Sequence, residues 1–236
     1  MPKQYPRVKF IIDRKQDLAA LYWGDDYIKH CFPNNMRFVN EKNFSKKERL
    51  KLAESFAKNR YKKELSSIKS DLKITEQKWR KHEKTFFRLV DKIFKNYPWP
   101  KGNYRGYASV FYRFPRFISQ KKFAFPTQYN NPKYADVDLR VIAHEMLHFI
   151  AYDYLQKKYH LKPSESRDKD NFFWQFTENL NVLIENSKMW QPMSKKFVSR
   201  PYDSAKKLYL KMEKIWRKSH DLDNLIVKTF GARIKD

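Results

Sequence analysis

The stretch Val141–Ile150 constrains the fold of this chain most, because it combines an apolar segment with two histidines and a glutamate. His144, Glu145 and His148 follow the spacing His-Glu-x-x-His, which is rare by chance in a chain with 6 histidines among 236 residues. Residues four apart on an α-helix share a face, so the two imidazoles can aim at one point. Apolar neighbours surround the motif, and they predict a buried helix that ends at about Lys157.

The chemistry of this motif favours a metal site. Neutral imidazoles are good ligands for Zn²⁺, and a glutamate that follows the first ligand can act as a general base toward water on the metal. Buried polar groups without partners are costly, and a shared ion removes that cost. The alternative is a pair of core histidines satisfied by hydrogen bonds, with Glu145 paired to a lysine.

A catalytic zinc site usually has three protein ligands and one water. Six residues past His148 the chain has Tyr154, so a third histidine at that position is excluded. A glutamate from the helix predicted at residues 170–187 fits better, and Glu178 is the first candidate there. The second candidate is Glu185, two turns further along the same face. The third, Glu165, is in a polar loop.

The distribution of positive charge supports the choice of this second helix. Lys and Arg number 51 of 236 residues, yet residues 141–156 and 170–187 contain neither. A surface that faces a divalent cation should exclude ammonium groups, because like charges repel. Buried helices also avoid lysine, but burial does not explain the polar side of residues 170–187, which carries Asn, Gln and Glu.

Over about residues 105–187 the chain resembles the gluzincin branch of the zinc metallopeptidases. The resemblance implies that His144, His148 and Glu178 bind zinc while Glu145 activates water for peptide hydrolysis. It also implies a zincin-like core, in which a small β-sheet packs on the motif helix beside a second, glutamate-bearing helix.

One position departs from the pattern of that family. Many members place an acidic residue one turn past the third ligand to orient a zinc-bound histidine, and this chain has Val182 there. Asn181 is the expected substitute, because its amide oxygen can accept a hydrogen bond from an imidazole N–H. The spacing does not choose among the candidate donors for an oxyanion, which are Tyr152, Tyr154, His160, Tyr202 and His220.

The rest of the chain predicts a mostly helical α+β protein, since glycines number only 4 and long periodic stretches dominate. Residues 1–100 are expected to form an N-terminal helical region packed on a core of residues 101–236, or the whole chain forms a single domain. Thr75 and Gly231 are the expected helix caps. The predicted strands are residues 7–13, 106–114 and 121–126, and the other main helices are residues 45–70, 75–97, 203–219 and 221–230.

The predicted strands just before the motif helix suit a peptidase. An exposed strand edge can hold an extended peptide by main-chain hydrogen bonds. Phe125 and its neighbours are candidates for this role, although the sequence does not show which strand is the edge.

The formal charge of +25 and the pI near 9.9 imply attraction to anionic partners such as nucleic acid. The basic residues are spread along the chain rather than gathered in an arm, which favours a solvated surface with at most weak nucleic-acid association. The alternative to a peptidase is a non-enzymatic, basic helical protein that binds nucleic acid or another partner and has a structural metal site.

Cys31 is the single cysteine, so an intrachain disulfide is excluded. The first residues lack the apolar run of a signal peptide, and the chain has no apolar stretch of 18 residues. We therefore expect a cytoplasmic protein that does not span a membrane.

Overall fold

The computed structural model describes residues 4–23, 28, 44–111, 114–127, 136–162, 171–193, 198–231 and 234; Cys31 lies outside them. Helices dominate this part of the chain, which also contains a small mixed β-sheet, so the predicted α+β, mostly helical class is confirmed. The chain divides into two compact units. The first comprises Met1–Tyr5, His82–Lys101 and Ala143–Asp236, and the second comprises Pro6–Lys81 and Gly102–Ile142. The expected boundary at residue 100 stays a prediction.

The helices keep the order expected from the sequence, with one difference in number. The α-helices of the described chain are α1 (Arg14–Ala19), α2 (Lys46–Ile93), α3 (Val137–Tyr159), α4 (Phe172–Glu185), α5 (Lys206–Ser219) and α6 (Leu222–Phe230). Short 3-10 helices lie at Ala20–Trp23, Lys188–Trp190 and Asp203–Ala205. None of the helices within the described ranges is both long enough and apolar enough to cross a bilayer.

Helix α2 runs without a break through 48 residues, so the prediction of two helices at residues 45–70 and 75–97 is wrong. Residues 71–74 contain neither glycine nor proline, and nothing there ends the helix. Thr75 is not an N-cap; its buried hydroxyl donates to the Asp138 carboxylate at 2.6 Å.

The β-sheet belongs to the second unit. Its strands are β1 (Lys9–Ile11), β2 (Arg105–Ser109), β3 (Arg116–Phe117) and β4 (Lys122–Pro126), in the spatial order β1-β2-β4-β3. β1 and β4 pair parallel to β2, and β3 pairs antiparallel to β4. β4, which carries Phe125, therefore lies inside the sheet, with β1 and β3 at its edges. The two-residue strand β3 was not predicted from the sequence.

The inner strands are buried on consecutive residues, as is typical of strands covered on both faces. Only glycine fits at position 106, because a Cβ there would lie 3.0 Å from the Phe123 ring and 3.3 Å from the Phe10 ring. β2 ends earlier than predicted because the Val110 N–H leaves the ladder and donates to the buried Asp17 carboxylate at 3.0 Å.

In the first unit, Asp223 of α6 is a shared acceptor for two tyrosines and two lysines. Its carboxylate accepts from the hydroxyls of Tyr154 and Tyr159, and it also accepts from Lys95 at 2.8 Å and Lys158 at 2.9 Å. Burial raises the pKa of Asp223, but these hydrogen bonds outweigh it and hold the pKa well below its ordinary value. The network ties α6 to the C-terminal end of α3 and to the residues just after α2.

Candidate metal centre

Helix α3 presents the predicted motif as a buried segment. His148 is fully buried, and Glu145 is 5 % exposed. The side chain of His144 is 25 % exposed, so solvent reaches the pair of imidazoles from the His144 side. The apolar residues around the motif, from Ile142 to Ala151, supply the burial that the sequence predicted.

Helix α4 carries the third candidate ligand. The Asn171 side chain caps this helix by accepting from the backbone N–H groups of Phe173 and Trp174. Every residue from Phe176 to Ile184 is buried, including the polar ones, so burial accounts for the absence of lysine in this segment, contrary to the argument from the sequence.

The structure brings the three predicted ligands together. The Nε2 atoms of His144 and His148 are 3.1 Å apart. The Glu178 carboxylate lies 3.3 Å from Nε2 of His144 and 3.5 Å from Nε2 of His148. These three residues form a cluster whose ligand atoms all lie within 4.8 Å of one another. Glu165, the third candidate, lies outside the described residues.

The cluster has the dimensions and donor chemistry of a zinc site. Two ligands each about 2.0–2.1 Å from a tetrahedral ion lie about 3.3–3.4 Å from each other, close to the separations of these three side chains. Two imidazole nitrogens and one carboxylate oxygen are donors that Zn²⁺ accepts, and they leave a fourth tetrahedral position for water. The residues present therefore fit Zn²⁺.

Glu185 is placed behind the cluster rather than in it. Its carboxylate lies 2.8 Å from Nδ1 of His144, on the side of the ring opposite the nitrogen that faces Glu178. The other Glu185 oxygen accepts a hydrogen bond from the Ser199 hydroxyl. A carboxylate in this position fixes the tautomer and orientation of a metal-binding imidazole, because it accepts the Nδ1–H and leaves the Nε2 lone pair for the ion.

Asn181 makes a different bond from the one predicted. Its amide nitrogen donates to the backbone carbonyl of His144 at 2.9 Å, so the amide supports the helix backbone and not the imidazole. Glu185 makes the contact with the ring, seven residues past Glu178 instead of the four usual in the resembling family. The two-turn spacing along one face was the available signal for Glu185, whereas nothing in the sequence pointed to Ser199.

Electrostatics favour a positive charge at this cluster. Burial lowers the pKa of the His144 imidazole, but the carboxylates of Glu185 and Glu178 outweigh it and raise that pKa well above its ordinary value. A proton on His144 and a cation at its Nε2 compete for the same negative field, since metal binding requires the neutral ring.

The candidate oxyanion donors are scattered. The Tyr152 ring lies beside a candidate ligand, with its centroid 6.2 Å from that of His148. Tyr154 donates its hydroxyl to Asp223 instead. The other three candidates are His160, at a positive φ after α3, Tyr202, whose ring lies against Trp174, and His220, whose ring packs on Trp216.

Comparison with models of known protein families, with curated proteins and with solved structures finds no match to this chain. The assignment of a function therefore depends on the geometry and chemistry of this cluster.

Proposed function

We propose that this protein is a zinc-dependent peptide hydrolase with His144, His148 and Glu178 as metal ligands and Glu145 as general base. One observation carries the proposal: two helices bring two imidazoles and a carboxylate to within 3.5 Å of each other. The residue that immediately follows the first ligand is the glutamate that such chemistry requires. A zincin-like core around these helices and a cytoplasmic location belong to the same proposal.

The motif and the cluster suggest a role for each side chain. When bound, zinc supplies Lewis-acid chemistry toward a peptide carbonyl and lowers the pKa of a water molecule toward 7. Glu145 takes the proton from the attacking water and passes it to the departing amine nitrogen, so one carboxyl group serves as base and then as acid. Glu185 holds His144 in the tautomer that presents Nε2.

Metal analysis of purified protein tests the ligand set. We expect about one zinc per chain in the wild type after dialysis against trace zinc, and a loss of at least tenfold in zinc affinity in Glu178→Ala. Glu145→Gln should retain zinc and lose peptide hydrolysis, because Gln cannot accept the proton from water. Glu213→Ala, which removes a partly exposed glutamate on α5, is the matched control for both measurements.

Two results would overturn the proposal in different ways. A wild-type protein without affinity for zinc would mean that a proton on His144 holds the cluster together through hydrogen bonds. Undiminished hydrolysis by Glu145→Gln would remove Glu145 from the mechanism while leaving the metal site in place.

A second candidate function is nucleic-acid association, and a groove in the second unit favours it. Arg14, Lys58 and Lys62 surround a groove of about 350 Å³, and its walls include the Tyr61 ring and two leucines. Three cations around one groove suit a phosphate backbone, although Tyr61 is 3 % exposed and its ring lies under Arg14.

This alternative predicts binding of single-stranded DNA that falls steeply as salt rises and that does not depend on zinc. The double variant Arg14→Gln, Lys62→Gln should weaken binding several-fold at 50 mM salt relative to Lys211→Gln, Lys214→Gln on α5. Equal DNA binding by the two double variants would mean that binding depends on the net charge of the protein and not on this groove.

A further inference from the structure

Trp174, one helical turn before the candidate ligand Glu178, forms an aromatic pair with Tyr202 that is partly open to solvent. Trp174 is on α4, one turn before Glu178, so the two side chains share a helix face and are separated by about 6 Å along the axis. The Tyr202 ring lies against Trp174, with centroids 5.2 Å apart and planes tilted by 44°. Tyr202 is 54 % exposed and Trp174 is half-buried.

The chain that carries Tyr202 is fixed along α4. The Asn186 side chain accepts from the backbone N–H of Ser199 and donates to its carbonyl, both at 2.9 Å. The Asn179 amide donates to the Ala205 carbonyl at 3.0 Å. These bonds hold residues 199–205 beside the helix, from the Glu185 end to the Trp174 end, so the aromatic pair has a defined position relative to Glu178.

Helix α4, which carries Trp174, contains neither lysine nor arginine, while Arg200, Asp203 and Ser204 are exposed on the segment that carries Tyr202. Aromatic faces exposed beside a reaction centre bind aromatic and large aliphatic side chains, and they do so with little loss of conformational entropy.

We propose that Trp174 and Tyr202 form a subsite for an aromatic or large aliphatic side chain of the peptide, next to the bond that is cleaved. This inference rests on the proposed hydrolase function and names its substrate class. The subsite selects its side chain by apolar contact. A side chain bound there would bring the neighbouring peptide carbonyl to the cluster of His144, His148 and Glu178.

The test uses zinc-loaded protein and two kinds of probe. The first is a set of peptides in which the residues on both sides of one bond are either Ala or Phe, compared by kcat/KM. The second is a pair of dipeptide hydroxamates, with Phe or with Ala, whose binding is measured without turnover. We expect the wild type to prefer Phe by about 10- to 100-fold in both experiments.

Variants assign that preference to the two rings. Trp174→Ala and Tyr202→Ala should reduce the Phe-over-Ala ratio to within about threefold of unity, while Tyr202→Phe keeps it. Tyr22→Ala, which removes a tyrosine that is 67 % exposed in the second unit, is the matched control and should keep the full ratio. If Trp174→Ala loses zinc, Tyr202→Ala decides, because its exposed ring can be removed without a cavity.

The outcomes separate the subsite from the hydrolase function. Hydrolysis by the wild type without a preference for Phe, or with a preference that both alanine variants keep, would overturn the subsite and leave the function intact. A wild type that hydrolyses no peptide but binds the Phe hydroxamate through Trp174 and Tyr202 would overturn the function and retain the apolar subsite.

Discussion

Glu185 determines how well the candidate metal centre is prepared for an ion. It contacts Nδ1 of His144 and is itself held by the Ser199 hydroxyl, so a chain of two hydrogen bonds runs from the Ser199 side chain to the candidate ligand His144. A ligand that is oriented before the ion arrives loses less conformational freedom on binding. The sequence placed Glu185 on the correct face but ranked it only as an alternative ligand.

Removal of the Glu185 carboxylate should weaken zinc binding without abolishing it. We expect Glu185→Ala to lower zinc affinity about 10- to 100-fold, since the imidazole loses the group that fixes its tautomer. Glu185→Gln should have a smaller effect, because its amide oxygen can still accept the Nδ1–H. Competition with a chromophoric chelator measures both constants, and an unchanged affinity in Glu185→Ala would contradict the orienting role.

Asp17 is a fully buried carboxylate that the proposed chemistry does not use. It accepts hydrogen bonds from the Ser109 hydroxyl at 2.6 Å, from the Tyr61 hydroxyl at 2.8 Å and from the Val110 N–H at 3.0 Å. Burial nevertheless raises its pKa from 3.8 to about 6, against the effect of these hydrogen bonds. The folded protein therefore holds the Asp17 proton more tightly than the unfolded chain does.

The sign of this pKa shift predicts how stability depends on pH. Below the unfolded pKa the carboxyl is protonated in both states, and as pH rises through about 6 the folded protein loses stability relative to the unfolded chain. Compared with Asp17→Asn, the wild type should lose on the order of 3 kcal/mol between pH 4 and pH 7. Urea unfolding of both proteins at each pH measures the difference in their free energies of unfolding. If these free energies change in parallel with pH, the pKa of Asp17 is not raised.

At the scale of elements, the long helix α2 was the main error of the sequence prediction. Thr75 followed by a glutamate looks like a helix start, because threonine is a good N-cap and acidic residues favour the first turn. In the structure Asp138 of α3 accepts the Thr75 hydroxyl, and no cap is needed because the helix continues through this residue and satisfies its own backbone N–H groups. A partner 63 residues away in the chain cannot be recognised from local sequence.

A proline at residue 76 distinguishes the two interpretations of this region. If Thr75 were an N-cap, residue 76 would be the first helical position, where proline is favourable. Within a continuous helix, Glu76→Pro removes a hydrogen bond and creates a steric clash, so we expect a loss of about 3 kcal/mol or more in the free energy of unfolding. Glu76→Ala, which loses only the surface pair with Arg80, should cost less than about 1 kcal/mol.

Other elements were predictable because their signals are local. The motif helix, the helix that carries Glu178 and the C-cap at Gly231 all follow from residue spacing, and each is found close to its predicted position. β3 was missed because a two-residue strand has no periodicity to detect, and the length of β2 depended on the remote Asp17. The convergence of His144, His148 and Glu178 was expected from the motif together with the charge distribution.

At the scale of the whole molecule, a metal ion would join two helices that are distant in sequence. His144 and His148 come from α3, while Glu178 comes from α4, and the three atoms that would hold the ion belong to the same unit. An ion that binds only the folded protein stabilises it by mass action. The site should therefore contribute to the stability of the first unit as well as to chemistry.

Zinc should raise the thermal stability of the protein in a way that depends on the cluster. At a free zinc concentration of 100 times Kd we expect a gain of about 2.7 kcal/mol, visible as a rise in Tm of several degrees that a chelator reverses. His144→Ala should show little change in Tm on addition of zinc. A similar rise in that variant would mean that zinc binds elsewhere.

The shared acceptor at Asp223 has a consequence for synthesis on the ribosome. Both histidines and Glu178 emerge well before this aspartate, so a nascent chain can display every metal-binding atom while Tyr154, Tyr159, Lys95 and Lys158 still lack their common carboxylate. The end of the motif helix then has its contacts with Phe94 and Tyr97 but lacks these hydrogen bonds, which form only after residue 223 has been translated.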